Sequence, residues 1–177
     1  MKTNGKSNKK NLVLGISAFV ILVVFIIIGY KKPYQHDDGT VFNTTYHITY
    51  QSGIDYKTDI EKELRKVDAA FSLFNDTSIV SKLNRNQQVA LNDYFITVFN
   101  KSQEISHETE GNFDITIAPF VNIWKSKKHP DLSAIDSIKH FVGYQKVSLF
   151  NGKIIKKDTR IMMDFNAIAK GYGVDVV

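Results

Sequence analysis

The sequence predicts an α+β domain, with a mixed or antiparallel sheet and flanking helices, preceded by one membrane-spanning helix. Three observations support this prediction. Residues 11–30 contain no charged side chain. Apolar residues recur at helical spacing over 58–73 and 93–110. Two short β-type runs flank an Asn-Gly pair at 151–152, which is the strongest short signal for a hairpin.

The composition is that of a folded protein. Hydrophobic residues make up 43% of the 177, which is enough to bury a core, and the formal net charge is +5. Residues 1–32 hold six lysines and no acidic residue, whereas the remainder has 17 basic and 18 acidic residues. The excess positive charge therefore belongs to the N-terminal segment, and no nucleic-acid partner is expected.

Residues 1–32 are predicted to form a basic cytoplasmic tail and a transmembrane anchor. The 19-residue run LVLGISAFVILVVFIIIGY is long enough to cross a bilayer, and four lysines precede it. The positive-inside rule then makes the chain a single-pass protein of the cytoplasmic (inner) membrane, with residues 33–177 outside. A cleaved signal peptide is the alternative. The isoleucines at the end of the run, in place of small residues, favour an uncleaved anchor.

The first part of the outer domain is predicted to contain a linker, a strand and a helix. The linker covers Lys31–Gly39. Phe42–Tyr50 alternates apolar and polar residues and predicts a half-buried strand. Thr58 and Glu61 have the spacing of a capping box at the start of a helix over 58–73.

The rest of the domain is predicted to alternate helices with short strands. Helices are expected over 93–110, with Asn92 or Asp93 as the cap and Gly111 as the stop, and over 133–140. A hairpin pairs 147–150 with 153–156, and a further strand, Arg160–Phe165, leads into a turn and a new helix opening at Lys170. Because the chain stops inside that helix, we expect it to be the N-terminal part of a longer domain.

Three stretches cannot be explained by core packing alone. They are Gly39–Tyr46 (GTVFNTTY), Gly111–Thr116 (GNFDIT) and Asp164–Asp175 (DFNAIAKGYGVD). Taken singly, they fit a strand start, a helix stop and a tight strand-to-helix connection with a surface lysine. In the third stretch, however, free N–H groups at a helix start and the cation of Lys170 are expected to converge on one anion.

In this order, the stretches resemble the ApbE family of FAD:protein FMN transferases. Family members typically have Gly-Thr-Met-Gly-Thr-Thr-Tyr, then Met-Ser-Thr-Tyr, Gly-Ala-Phe-Asp-Ile-Thr and Asp-Leu-Gly-Ala-Ile-Ala-Lys-Gly-Tyr-Ala-Val-Asp. This chain has FNTTY at 42–46, FSLF at 71–74, GNFDIT and DFNAIAKGYGVD. The resemblance covers residues 39–177 and only the N-terminal half of the family's usual length. Departures from the pattern are Phe42, Phe74, Asn112, Asn166 and Gly173.

The resemblance implies an FAD-dependent, Mg²⁺-dependent transfer of FMN to a threonine hydroxyl of an exported acceptor protein, with AMP released. It implies FAD contacts at Phe42, Phe74, Asn112, Phe113, Asp114, Asp164 and Lys170, and a backbone Mg²⁺ ligand at the carbonyl of Ala167. Lys170 is expected near the pyrophosphate, and Phe42 and Phe74 against the flavin or adenine ring. The family's metal-binding carboxylate is expected after Val177, and no catalytic residue is assigned.

Two other functions stay open on the sequence alone. The first is a membrane-anchored FAD-binding module, or pseudoenzyme, without transferase activity. The second is a polysaccharide-binding or peptide-binding surface domain, which FAD binding would exclude. The five histidines show no metal-binding spacing, and Lys125, Lys127 and Lys128 fit a solvated loop.

Overall fold

The chain forms seven α-helices and four strands in the computed structural model, over the residues that it describes, 4–29, 32–126 and 131–177. In chain order the elements are α1 (Asn4–Gly29), β1 (Tyr34–Val41), β2 (Thr44–Gln51), α2 (Lys57–Phe71), α3 (Ile79–Asn84), α4 (Asp93–Glu108), α5 (Ala118–Ser126), α6 (Leu132–Lys139), a 3-10 turn (Tyr144–Lys146), β3 (Val147–Phe150), β4 (Lys153–Lys156) and α7 (Asn166–Asp175).

The chain divides into two compact units. The first comprises Met1–Asp37 and His47–Asp55. It holds α1 and the outer ends of β1 and β2, where His36 Nδ1 and Thr49 Oγ1 share a hydrogen bond of 3.0 Å. Within the described residues, no helix combines the length and apolar character needed to cross a membrane. The transmembrane anchor therefore stays a prediction.

The second unit comprises Asp38–Tyr46 and Tyr56–Val177 and contains the hydrophobic core. Four phenylalanines form the centre of that core. Phe71 and Phe165 have ring centroids 5.1 Å apart, and Phe95 lies 5.4 Å from Phe165 and 6.2 Å from Phe99. Because α2, α4 and α7 each bring a ring or an apolar face to this cluster, the core fixes the three helices relative to one another.

Helix spacing predicted the two long helices of the core closely. The helix expected over 58–73 is α2 (Lys57–Phe71), and the one expected over 93–110 is α4 (Asp93–Glu108). The Asn92 side chain caps α4 by accepting a hydrogen bond of 2.9 Å from the Phe95 amide. The chain leaves α4 through Gly111, whose φ of +85° suits a glycine.

Two tight turns of the same type close the two hairpins. β3 and β4 pair antiparallel, with Val147 opposite Lys156, through Asn151-Gly152 at φ +48° and +72°. β1 and β2 form a two-stranded sheet joined by Phe42-Asn43 at φ +54° and +56°. Positive φ at both central residues is the mark of the type I′ turn. The α+β class is confirmed, but the sheet consists of two separate two-stranded pieces.

Several expectations for local structure were wrong. The predicted linker already contains β1 from Tyr34 onward, and Phe42 lies in a turn rather than at a strand start. Thr58 lies inside α2, whose N-cap is Tyr56 without a side-chain bond, while Glu61 pairs with Arg65 at 2.6 Å. The short helices α3 and α5 were not anticipated, because neither is long enough to show a clear period.

The expected strand Arg160–Phe165 is not a strand, and α7 begins at Asn166 instead of Lys170. Side chains and a loop carbonyl satisfy the backbone of this segment in place of a neighbouring strand. Met163 bonds to Asn84, and the Asp164 amide donates to the Ile115 carbonyl at 2.7 Å. Asn166, which replaces a glycine of the family pattern, does not have a positive φ. Lys127 and Lys128 of the predicted charged loop lie outside the described residues.

Candidate functional site

A shallow cleft in the second unit brings together three of the predicted site residues. Phe42 reaches it from the turn between β1 and β2, Phe74 from the loop after α2, and Lys170 from α7. Its other lining residues are Phe71, Ser72, Leu73, Asn166 and Ala169. The cleft encloses only about 10 Å³, far below the roughly 300–1,000 Å³ of a small-molecule site. The cleft is therefore a shallow surface depression rather than a closed pocket.

The cleft wall combines aromatic rings with a cation. Phe74 is 71% exposed, and Phe42 is half-buried against the core, so both rings offer a face or an edge outward. Lys170 is exposed on α7, and within the described residues it has no ion pair or hydrogen bond. A planar ring can stack on such phenylalanines, and an attached phosphate can take the ammonium as its counter-ion.

Asp164 lies beneath the start of α7. Its side chain is buried, and Oδ1 accepts a hydrogen bond of 2.7 Å from the Asn166 amide, the first in the helix. An anionic oxygen at a helix N-terminus is stabilising because it satisfies an amide that has no partner within the helix. Asp164 thereby fixes where α7 begins, and so where Lys170 stands, but it does not line the cleft.

The carboxylate of Asp114 is engaged within the protein. Oδ1 accepts from the amide and the hydroxyl of Thr116, both at 2.7 Å, and Oδ2 accepts from the Tyr144 amide at 2.8 Å. The Thr116 hydroxyl in turn accepts from the Gly143 amide at 2.7 Å. This network joins the loop after α4 to the turn before β3, so Asp114 has a clear structural role.

The other residues of the middle motif also lie away from the cleft lining. Asn112 is exposed and donates from Nδ2 to the Thr109 carbonyl at 2.9 Å, at the end of α4. Phe113 is half-buried against the core, and its amide donates to the Thr109 hydroxyl at 3.1 Å. Their predicted contacts with FAD, like those of Asp114 and Asp164, stay predictions.

The described residues do not fit a magnesium ion. They contain no group of three or more His, Cys, Asp or Glu side chains placed to hold a metal. Ala167 lies in the first turn of α7 and lines a groove against α4 rather than the cleft. In an α-helix, a carbonyl at this position accepts the amide four residues on, here that of Gly171. Within the described residues, no cluster of metal-binding side chains thus accompanies the predicted ligand at Ala167.

The structure adds residues that lie inside the motifs but were not predicted as site residues. Ser72, Leu73 and Ala169 line the cleft between predicted residues, and Gly173 lies directly against Phe42. Only sequence position could have indicated them: Ser72 and Leu73 lie between Phe71 and Phe74, and Gly173 lies three residues after Lys170. A larger groove of about 550 Å³ lies between Gln87–Ala90 and β4, and it contains none of the predicted site residues.

Comparison with known proteins supports one family. The model of the ApbE family matches residues 42–177. An FAD:protein FMN transferase of Vibrio cholerae is 28% identical over 171 residues, which is 87% of this chain and 51% of that protein. One of Haemophilus influenzae is 28% identical over 189 residues, covering 95% and 55%. The chain thus spans about half the length of these curated relatives.

Solved structures agree with the sequence comparison. The flavin transferase ApbE from Vibrio cholerae superposes with a TM-score of 0.74 at 26% identity, over 81% of this chain and 52% of that one. The apo form of the Pseudomonas stutzeri flavinyl transferase ApbE gives a TM-score of 0.74 at 23% identity, over 83% and 51%, which establishes likeness of fold.

Proposed function

The chain belongs to the ApbE family, and from this we propose that it provides the FAD-binding N-terminal part of a flavin transferase. In the proposed reaction, a threonine hydroxyl of an exported acceptor protein attacks the FMN phosphorus of FAD. A P–O bond forms to threonine, the bond to the AMP phosphate breaks, and the hydroxyl proton is lost. The products are a phosphoester-linked flavin and AMP.

The observation that supports this proposal most is the meeting of Phe42, Phe74 and Lys170 at one cleft. These residues come from three separate parts of the chain, and each matches a position that the family resemblance associates with FAD. We propose that the rings of Phe42 and Phe74 stack on a ring of FAD and that Lys170 neutralises its pyrophosphate. Such residues contribute positioning and charge neutralisation, which are the main needs of phosphoryl transfer.

We also propose that the whole enzyme uses Mg²⁺, as the family resemblance implies. A divalent cation would neutralise charge on the transferring phosphoryl group. The described residues contain no cluster of metal-binding side chains, so the role that we propose for them is to bind and orient FAD.

The test of FAD binding uses the full chain in detergent micelles and the quenching of flavin fluorescence. Lys170→Ala is expected to weaken FAD binding by about 1–3 kcal/mol, or roughly 5- to 150-fold, which is the scale of a lost charge-assisted hydrogen bond. Lys153→Ala removes the same charge from exposed β4 and should leave the affinity within about twofold. Equal affinities of all three proteins would count against the site.

An anchored FAD-binding module without transferase activity is the second candidate. It is compatible with the described residues, which contain no metal-binding cluster and form only a shallow cleft at Lys170. Both candidates require FAD to bind at Lys170, so the binding test does not separate them. Transfer of FMN by an extended protein does separate them.

The location of the domain is a proposal from the sequence. Residues 11–30 carry no charge and follow four lysines, so we propose from the sequence that this segment anchors the chain in the cytoplasmic membrane with residues 33–177 outside. Protease added to spheroplasts should digest the domain while a tag at the N-terminus stays intact. A mature protein that begins near residue 30 would show that the segment is a cleaved signal peptide.

A further inference from the structure

Gly173 of α7 lies directly under the ring of Phe42. A Cβ added at Gly173 would stand 3.0 Å from Phe42 Cε2 and 3.2 Å from Cζ, closer than ordinary carbon contacts allow. The next neighbour, Leu64 Cδ2, would be at 3.7 Å, which is a normal contact distance. A side chain at 173 would therefore require the ring of Phe42 to move by a few tenths of an ångström.

Gly173 and Phe42 are both residue types that disfavour the local backbone conformation in which they are found. Gly173 stands inside a helix, where glycine is among the least favourable residues. Phe42 has a φ of +54° in a two-residue turn, a region that bulky residues rarely adopt. Because the turn fixes the Phe42 backbone, only rotation of its side chain can move the ring away from α7. Residues that conflict with local preference are commonly found where function requires them.

The contact also relates Phe42 to Lys170. Positions 170 and 173 are three residues apart on α7 and so share one face of the helix. Lys170 lines the cleft on that face, and Phe42, seated on Gly173, lines it beside Lys170. The spacing of positions 170 and 173 on α7 thus sets the distance between the Phe42 ring and the Lys170 ammonium in the cleft.

We propose that Gly173 is a positioning residue. Because it has no side chain, the Phe42 ring can approach α7 closely enough to stack on a ring of FAD while Lys170 contacts the pyrophosphate. This inference rests on the proposed function and adds a specificity element to it. Phe42 and Gly173 act as a matched pair: a ring at 42 needs glycine at 173, whereas a thinner side chain at 42 tolerates alanine there.

The test compares Gly173→Ala, Phe42→Met and the double variant in the full chain in detergent micelles, by thermal unfolding and by FAD affinity. Gly171→Ala is the matched control, because Gly171 is in the same helix and a Cβ there would meet nothing within 4 Å. The control should raise the Tm by about 2–4 °C through helix propensity and leave FAD affinity within about twofold.

Gly173→Ala is expected to lower the Tm and to weaken FAD binding at least about fivefold, the scale of coupling between residues in contact. In the Phe42→Met background, the same change should raise the Tm as in the control and have little effect on affinity. The inference is overturned if Gly173→Ala behaves like Gly171→Ala next to Phe42, or if it has equal effects in both backgrounds. If the unmodified chain binds no FAD, the proposed function fails, and the unfolding data alone decide whether positions 42 and 173 are coupled.

Discussion

Asn84 bonds to both backbone groups of Met163, a residue 79 positions away in the sequence. Asn84 Nδ2 donates to the Met163 carbonyl at 2.8 Å, and the Met163 amide donates to Asn84 Oδ1 at 2.7 Å. A side-chain amide at the end of α3 thus makes the pair of bonds that a neighbouring strand would make. Because this segment leads directly to Phe165 and Asp164, the pairing helps to fix the start of α7 and the position of Lys170.

Asn84→Ala should destabilise the fold, because it leaves the buried Met163 amide and carbonyl without partners. Unpaired buried backbone groups cost about 1–3 kcal/mol each, so we expect a loss of about 2–4 kcal/mol and a Tm lower by roughly 5–15 °C. Thermal unfolding measures the effect. Asn100→Ala, at an exposed position of α4, is the control and should change the Tm by less than about 2 °C. Equal shifts for the two variants would show that the pairing contributes nothing.

The elements that the sequence predicted are those with a local cause. The periods of α2 and α4, the Asn92 cap of α4 and the Asn151-Gly152 turn depend on residues close in sequence, and each was located within a few residues. Arg160–Phe165 was misassigned because its alternation is that of a strand, while its partners are Asn84 and Ile115, far away in the chain. No local pattern carries that information.

In the candidate site, too, the sequence predicted what depends on local motifs and missed contacts between distant residues. The motifs identified Phe42, Phe74 and Lys170, and the structure brings these three together. They also identified Asp114, but its three hydrogen bonds to Thr116 and Tyr144 could not be anticipated, because Tyr144 lies 30 residues away. The sequence alone does not distinguish a motif carboxylate that contacts a ligand from one that joins two loops through hydrogen bonds.

Gly39→Ala should weaken the hairpin of β1 and β2, because the ring of Tyr46 lies across Gly39. A Cβ at Gly39 would stand 2.6 Å from Tyr46 Cε1, so the ring must move. Overpacking of this kind costs about 1–3 kcal/mol, which predicts a Tm lower by roughly 2–12 °C. Gly53→Ala is the control, since a Cβ there meets nothing within 4 Å. If the cost persists in a Tyr46→Ala background, the contact is not its cause.

The ion pair of Asp158 and Arg160 should make stability depend on pH in the acid range. Hydrogen bonds from the Arg160 side chain, and then from its backbone amide, lower the pKa of Asp158 from 3.8 to about 2. A carboxyl with a lowered pKa in the folded state stabilises the fold above its unfolded value, and this contribution is lost as the pH falls toward 2. The unmodified chain should therefore lose stability between about pH 4 and pH 2.

Asp158→Asn tests this dependence through Tm values measured from pH 7 to pH 1.5. The variant should be less stable than the unmodified chain above about pH 4, and the difference should disappear near pH 2. Arg160→Gln should weaken the same acid dependence, because it removes the first cause of the lowered pKa and leaves the hydrogen bond from the backbone amide. Curves for the unmodified chain and Asp158→Asn that stay parallel down to pH 1.5 would refute the assignment.

The 177-residue chain should not transfer FMN by itself, whereas an extended protein should. The described residues offer no cluster of metal-binding side chains, and Mg²⁺ in phosphoryl-transfer sites usually takes one or two carboxylates besides phosphate oxygens. The Vibrio cholerae relative is about twice as long as the part that it shares with this chain. We therefore expect no covalent flavin on an acceptor protein incubated with the chain, FAD and Mg²⁺, as measured by intact mass.

A chimera that joins this chain to the remaining half of the Vibrio cholerae protein should attach FMN to the acceptor threonine. Lys170→Ala in the chimera should reduce transfer at low FAD concentration by roughly 5- to 150-fold, in line with its effect on binding, while Lys153→Ala should leave it unchanged. Transfer by the 177-residue chain alone would show that this chain carries its own metal ligands. A chimera that folds and binds FAD but transfers no FMN, when the intact relative does so under the same conditions, would instead favour an FAD-binding module without transferase activity.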